Sequence, residues 1–228
     1  RPGGFVDAID SLHERACKTV GFADFGDSAY RVGLDVLADA YDREAQLTPF
    51  GRMLVHGQIA TILESRLRVE KAIRERPEIA SMPIRRPIFV LGLPRTGTTA
   101  LHHLLGQDPS TQVLEYWIAA SPGPRPPREA WASDPRFKQA ERELKMTYWL
   151  DPGLKAIHLM TADGPEECRP LLSQTFTDDT FDCNATIPSY TRWYSSCDMR
   201  PTYRRHRRLL QLIGSTTPER RWVLKYPV

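Results

Sequence analysis

Gly92 and Gly97 lie between a short apolar run, Ile88-Phe89-Val90-Leu91, and an amphipathic stretch that begins at Ala100. Strand, glycine-containing loop and helix start together make a phosphate-binding arrangement. The first amides of a helix have no intrahelical acceptors, and the positive end of its dipole sits there. Nucleoside triphosphate loops use the same glycine spacing, G-x-x-x-x-G-K-[ST]. Here Thr98 stands where that lysine belongs, and Thr99 occupies the Ser/Thr position. Without the lysine that bridges terminal phosphates, γ-phosphoryl transfer is poorly supported. The loop offers Arg95 instead, a planar fork suited to phosphate or sulfate oxygens, with hydroxyls from Thr96, Thr98 and Thr99. These residues describe an oxyanion site that needs no metal ion. A purely structural glycine turn is the plainer alternative, but the patterns on both flanks favour a binding loop.

The segment Pro94-Arg95-Thr96-Gly97-Thr98-Thr99 resembles the 5′-phosphosulfate loop, P-[KR]-[ST]-G-T-T, of the sulfotransferases that use 3′-phosphoadenosine-5′-phosphosulfate (PAPS). The arginine form, followed by Ala-Leu-His-His-Leu-Leu and Gln107-Asp108-Pro109, is most similar to the bacterial sulfotransferase-family branch and to tyrosylprotein sulfotransferases. The resemblance implies transfer of a sulfuryl group from PAPS to a hydroxyl or amine, leaving adenosine 3′,5′-bisphosphate, with no metal. Pro94, Arg95, Thr96, Gly97, Thr98 and Thr99 would hold the phosphosulfate.

Such a transfer needs a general base for the acceptor, cations for the developing charge and in-line alignment. Glu115 matches the place of the base in tyrosylprotein sulfotransferases and is the first candidate, although a surface carboxylate would look the same. His158, ahead of Asp163-Gly164-Pro165-Glu166-Glu167, is the second; a structural histidine is the bland alternative. Glu166 and Glu167 come third, and first-turn helix charges explain them more simply. Trp222-Val223-Leu224-Lys225-Tyr226-Pro227 resembles the family's W-V-L-K-x-P-x-H motif, whose lysine faces the phosphosulfate. A lysine at the carboxyl end of a buried strand also points to where α/β ligands bind. Lys225 would contact the phosphosulfate and assist departure of the leaving phosphate. The family's 3′-phosphate segment, with its Arg and Ser, has no counterpart here. His102 and His103 are adjacent, lack ligand-spaced partners and read as structural or surface residues.

The elements that must position these groups follow from periodicity. Apolar residues recur at helical spacing over 5–19 and 28–45, and Thr48-Pro49 caps and opens a long helix that runs to Arg76. Residues 111–119 fit either a short strand or the start of a helix. Four prolines within 121–128 predict an irregular, exposed loop. Helices are predicted over 134–150, from Asp163 onward, and over 188–197 and 201–214; Arg221–Lys225 reads as a second buried strand. The basic run Arg200, Arg204, Arg205, His206, Arg207 and Arg208 reads as a solvated face, with attraction of an anion as the functional alternative. Tyr190, Trp193 and Tyr194 read as core, with an acceptor pocket as the rival.

Composition sets the bounds. The 228 residues carry 31 basic and 28 acidic side chains, a net charge of +3, which calls for no nucleic-acid partner. The four cysteines form no disulfide framework and suit a reducing, cytoplasmic compartment. No apolar run approaches the roughly 20 residues of a membrane span, and no leader pattern is read. The chain starts with Arg and stops within the lysine-strand motif, so a fragment is expected. The expected fold is α/β: a P-loop-like parallel sheet with flanking helices (84–228), preceded by a helical region (1–83). The expected acceptor is a small molecule, lipid or sugar. Two rivals remain, a P-loop kinase or NTPase with an altered loop and a non-catalytic relic of the fold.

Overall fold

The computed structural model describes residues 3–93 and 95–226. In chain order, three helices come first: α1 (Phe5–Val20), α2 (Tyr30–Arg43) and α3 (Pro49–Glu75). Then follow β1 (Ile88–Val90), α4 (Thr98–Leu105), β2 (Thr111–Gln112), α5 (Tyr116–Ala120) and α6 (Pro135–Leu150). The rest comprises α7 (Leu154–Ile157), α8 (Arg169–Leu172), α9 (Thr180–Asn184), α10 (Pro188–Tyr194), α11 (Arg200–Ile213) and β3 (Arg221–Lys225). The chain forms two compact units, one of residues 1–77 with 172–208, the other of 78–171 with 209–228.

The first unit is helical. Phe5, Ile9, Leu12 and Ala16 line one face of α1, and Leu34, Leu37, Ala38 and Tyr41 one face of α2. The free amides of Phe5 and Val6 at the start of α1 donate to the Asp42 carboxylate at 2.8 and 3.0 Å. Gly21 ends α1 at φ 64°, a left-handed cap that glycine adopts without penalty. Thr48 caps α3, its hydroxyl accepting from the Gly51 amide at 3.1 Å, with Pro49 at the first helical position. Residues 172–208 complete this core through Phe176, Phe181, Ile187 and Tyr190. At Gly33 a Cβ would fall 2.6 Å from the Thr175 carbonyl, so the close approach of α2 to that segment requires glycine. Tyr190 is fully buried, with Trp193 and Tyr194 packed against the same core, as the sequence suggested.

The second unit holds a parallel sheet in the order β1-β3-β2. Ile88 pairs with Val223, Val90 with Lys225, and Gln112 with Trp222. Strand β3 is the middle strand, and its Trp222, Val223 and Leu224 are buried. Trp117, Trp131 and Phe137 cluster where α5 and α6 pack, with centroids 5.4–6.4 Å apart. Among the described residues, no helix is long and apolar enough to cross a membrane.

Three expectations fail in whole or in part. Asp163–Glu167 does not begin a helix. It runs extended beside 114–116, with the Tyr116 amide donating to the Gly164 carbonyl and the Glu166 amide to the Leu114 carbonyl, at 3.0 and 2.6 Å. Helix α8 starts only at Arg169. The proline-rich loop is not simply exposed: Arg125 within it is 6% exposed and donates to Gln112 Oε1 and to the Val113 carbonyl. The basic run is a solvated face only in part: Arg200, Arg204 and Arg207 are exposed, but Arg205 and His206 are buried. In each case the deciding partner lies outside the local pattern, 13 residues away for Arg125 and Gln112 and 135 for Arg205 and Glu70.

Candidate active site around the Gly92–Thr99 loop

The loop leaves the sheet at the carboxyl end of β1. Gly97 has φ 90°, a left-handed conformation natural to glycine, and it stands as the N-cap of α4. Thr98 and Thr99 form the first turn, so their amides and hydroxyls belong to the positive end of the helix. The Thr96 hydroxyl donates to the Leu93 carbonyl at 2.7 Å and ties the loop across its mouth. Arg95 also takes left-handed backbone, at φ 68°, and its side chain is exposed. A non-glycine residue held in that region is a local strain of the kind found where backbone cradles a ligand. Pro94 lies outside the described residues.

Lys225 stands level with Val90, where the loop begins. It is 4% exposed, and its Nζ lies 2.6 Å from Glu167 Oε1. Glu167 also receives Arg169 Nε at 2.9 Å, and the Cys168 amide donates to the Lys225 carbonyl. The segment 166–169 thus wraps the end of β3. Burial raises the proton affinity of Glu166 above the ordinary carboxylate range, and the nearby His158 and Lys225 oppose the rise. His102 of α4 faces the same strand, its Nε2 3.2 Å from the Val223 carbonyl. Burial holds His102 down at about 4, so it is neutral at physiological pH. Lys225, Glu166, Glu167, His158 and His102 form one electrostatic cluster. Sequence patterns missed that Glu167 is the lysine's partner, because they read 163–167 as a helical turn.

Glu115 is placed differently. It precedes α5 as its N-cap and is bridged by backbone to Pro165. Its carboxylate is buried and lies 3.0 Å from Arg125 Nη2. Burial raises its proton affinity, and the guanidinium opposes that rise in part. The pair borders a cavity of about 620 Å³, lined also by Gln112, Trp131, Thr217 and Arg220. Nothing in the sequence pointed to Arg125 as this partner. Among the described residues, no group of three or more His, Cys, Asp or Glu side chains is placed to hold a metal.

Residues 87–221, which run from the start of β1 into β3, match the model of the family described as Sulfotransferase family. The chain belongs to this family. The crystal structure of sulfotransferase STF1 from Mycobacterium tuberculosis H37Rv is similar, with 46% identity and a TM-score of 0.87 over 96% of this chain and 60% of that one. Sulfotransferase STF9 from Mycobacterium avium is similar at 33% identity and a TM-score of 0.84, covering 96% of this chain and 56% of that one. The chain therefore spans less than two thirds of either structure. Among curated proteins, no relative matches. The mixed α/β architecture with its small parallel sheet is that of these sulfotransferase structures.

Proposed function

We propose that this sulfotransferase-family chain contributes the phosphosulfate half of a site that moves a sulfuryl group from PAPS to an acceptor hydroxyl or amine. The observation that carries this reading is the loop itself. Left-handed Gly97 opens α4 so that Thr98 and Thr99 present the amides of its first turn to an oxyanion, with Arg95 as the added cation. PAPS would supply an activated sulfuryl group on a phosphate leaving group. Thr96, Gly97, Thr98, Thr99 and Arg95, with Pro94, would fix the phosphosulfate. Lys225 would stabilise charge as it accumulates on the departing phosphate, exchanging Glu167 for that anion. Glu115 is the proposed base, and burial strengthens it by raising its proton affinity. His158 is the second candidate. The cavity beside Glu115 would seat a small-molecule, lipid or sugar acceptor, with Trp131 as an apolar wall.

Titration with adenosine 3′,5′-bisphosphate and, separately, with Mg-ATP tests the donor. Saturable binding of the bisphosphate without metal supports the reading; tight Mg-ATP binding with no response to the bisphosphate overturns it in favour of an altered NTPase. For the base, Glu115→Gln should lower turnover by about a hundredfold or more. It should also abolish the acidic limb of the pH profile. That limb should sit above the ordinary carboxylate range, because turnover falls as the buried carboxylate takes up its proton. Near-normal turnover in Glu115→Gln with a collapse in His158→Ala would move the role to His158.

A further inference from the structure

The helical unit contains a second concentration of cations, unconnected to the loop chemistry. Arg66, Arg204, Arg205 and Arg208 line one small cavity of about 120 Å³, together with Glu70, Asp27 and Thr175. At about 30 Å³ per water, this space is on the scale of a single oxyanion with a water beside it.

The cations outnumber what neutralises them. Glu70 is shared, one oxygen pairing with Arg205 and the other with Arg208 Nη2 at 3.1 Å. Arg66 is 2% exposed and spends its donors on the Phe25, Asp27 and Gln174 carbonyls, at 2.7, 2.6 and 3.2 Å. Those acceptors are uncharged. Arg205 turns its remaining donors to Gln174 Oε1 and to the Arg66 carbonyl, which are likewise uncharged. The Nε of Arg208 is buried with no acceptor, an expense that native structures seldom carry without a reason. Arg204 lines the same cavity from an exposed position and makes no hydrogen bond or ion pair among the described residues. Burial first, and then the neighbouring Arg66 charge, lower the proton affinity of Arg205, and Glu70 opposes the fall.

Uncompensated buried cations are costly unless paired. Guanidinium forks match tetrahedral oxyanions, and several forks around one small space suit a dianion better than a carboxylate, which brings a single charge. We propose that this cavity is a second anion site, distinct from the Gly92–Thr99 loop, for a tetrahedral oxyanion: sulfate, phosphate or the terminal group of one of their monoesters.

The test is thermal unfolding of the chain titrated with sodium sulfate and with sodium phosphate, ionic strength being held constant with chloride. Wild type, Arg95→Ala, Arg204→Ala and Arg204→Ala/Arg208→Ala are compared. A saturable stabilisation should survive in Arg95→Ala, because the loop does not cause it. Arg204→Ala should weaken the apparent affinity by about tenfold, the loss of one charge-assisted contact. Arg204 is exposed, so this variant remains informative even if the double variant folds poorly. A stabilisation that never saturates, that vanishes in Arg95→Ala, or that is undiminished in Arg204→Ala overturns the proposal; non-saturating behaviour is what simple exclusion of sulfate from the surface produces.

Discussion

The loop at 92–99 and the end of β3 carry the two cations that the proposed chemistry calls for, and the fold keeps them in opposite states. Arg95 is exposed, on left-handed backbone, at the mouth of a loop whose shape is set locally by Gly97 and the Thr96–Leu93 hydrogen bond. Lys225 is buried and already neutralised by Glu167, which Arg169 also holds. In the proposed site the loop would meet an anion on backbone already shaped by Gly97. The lysine would meet it by giving up Glu167. The loop should therefore govern affinity, and the lysine should govern what happens to charge once the anion is there.

Substitutions can break this contrast, and the largest effect is expected at the loop. Gly97→Val places a β-branched residue in left-handed backbone, at a cost of roughly 2 kcal/mol. That corresponds to about a thirtyfold loss of affinity for adenosine 3′,5′-bisphosphate. Calorimetric titration reads the loss, and unchanged affinity would mean that the loop is not the anion seat. At the strand, Lys225→Met should weaken bisphosphate binding by about tenfold. Glu167→Gln should strengthen it severalfold, because the lysine no longer has to leave a carboxylate. Equal weakening in both variants would make the pair a structural clamp. The smallest effect belongs to Thr96→Ala, which removes one hydrogen bond worth about 1 kcal/mol; a fewfold loss in the same titration would show that the tie shapes the loop.

Much of this was legible in the chain because its causes are local. The apolar spacing of α1, α2 and α3, the Thr48-Pro49 start and the strand–glycine–helix passage at 88–105 depend on residues within a turn or two of one another. The parallel sheet with flanking helices followed from the same signals. What stayed hidden depends on distant partners. Asp163-Gly164-Pro165-Glu166-Glu167 reads locally as a helix start, yet pairing with 114–116 holds it extended. Arg205 reads as surface until Glu70 on α3 is placed beside it. Arg125 hides in a proline-rich stretch, and only the fold brings it to Glu115 and Gln112. The return of 172–208 to the helical core has no local signature. Of the candidate site, the strand–glycine–helix passage that carries the loop was readable. Lys225 was readable as a cation at a strand end, but its carboxylate partner was not.

The strand order has a consequence for how the molecule is made. Strand β3 lies between β1 and β2, although it is synthesised after both. At about 5–20 residues per second, the two earlier strands wait several seconds for β3, their neighbour among the described strands. Among the described strands, the sheet of the second unit cannot close until Arg221–Lys225 has emerged, even where the helical segments condense early. The nascent chain's exposure to chaperones, or to other nascent chains, is thus set by which strand sits in the middle.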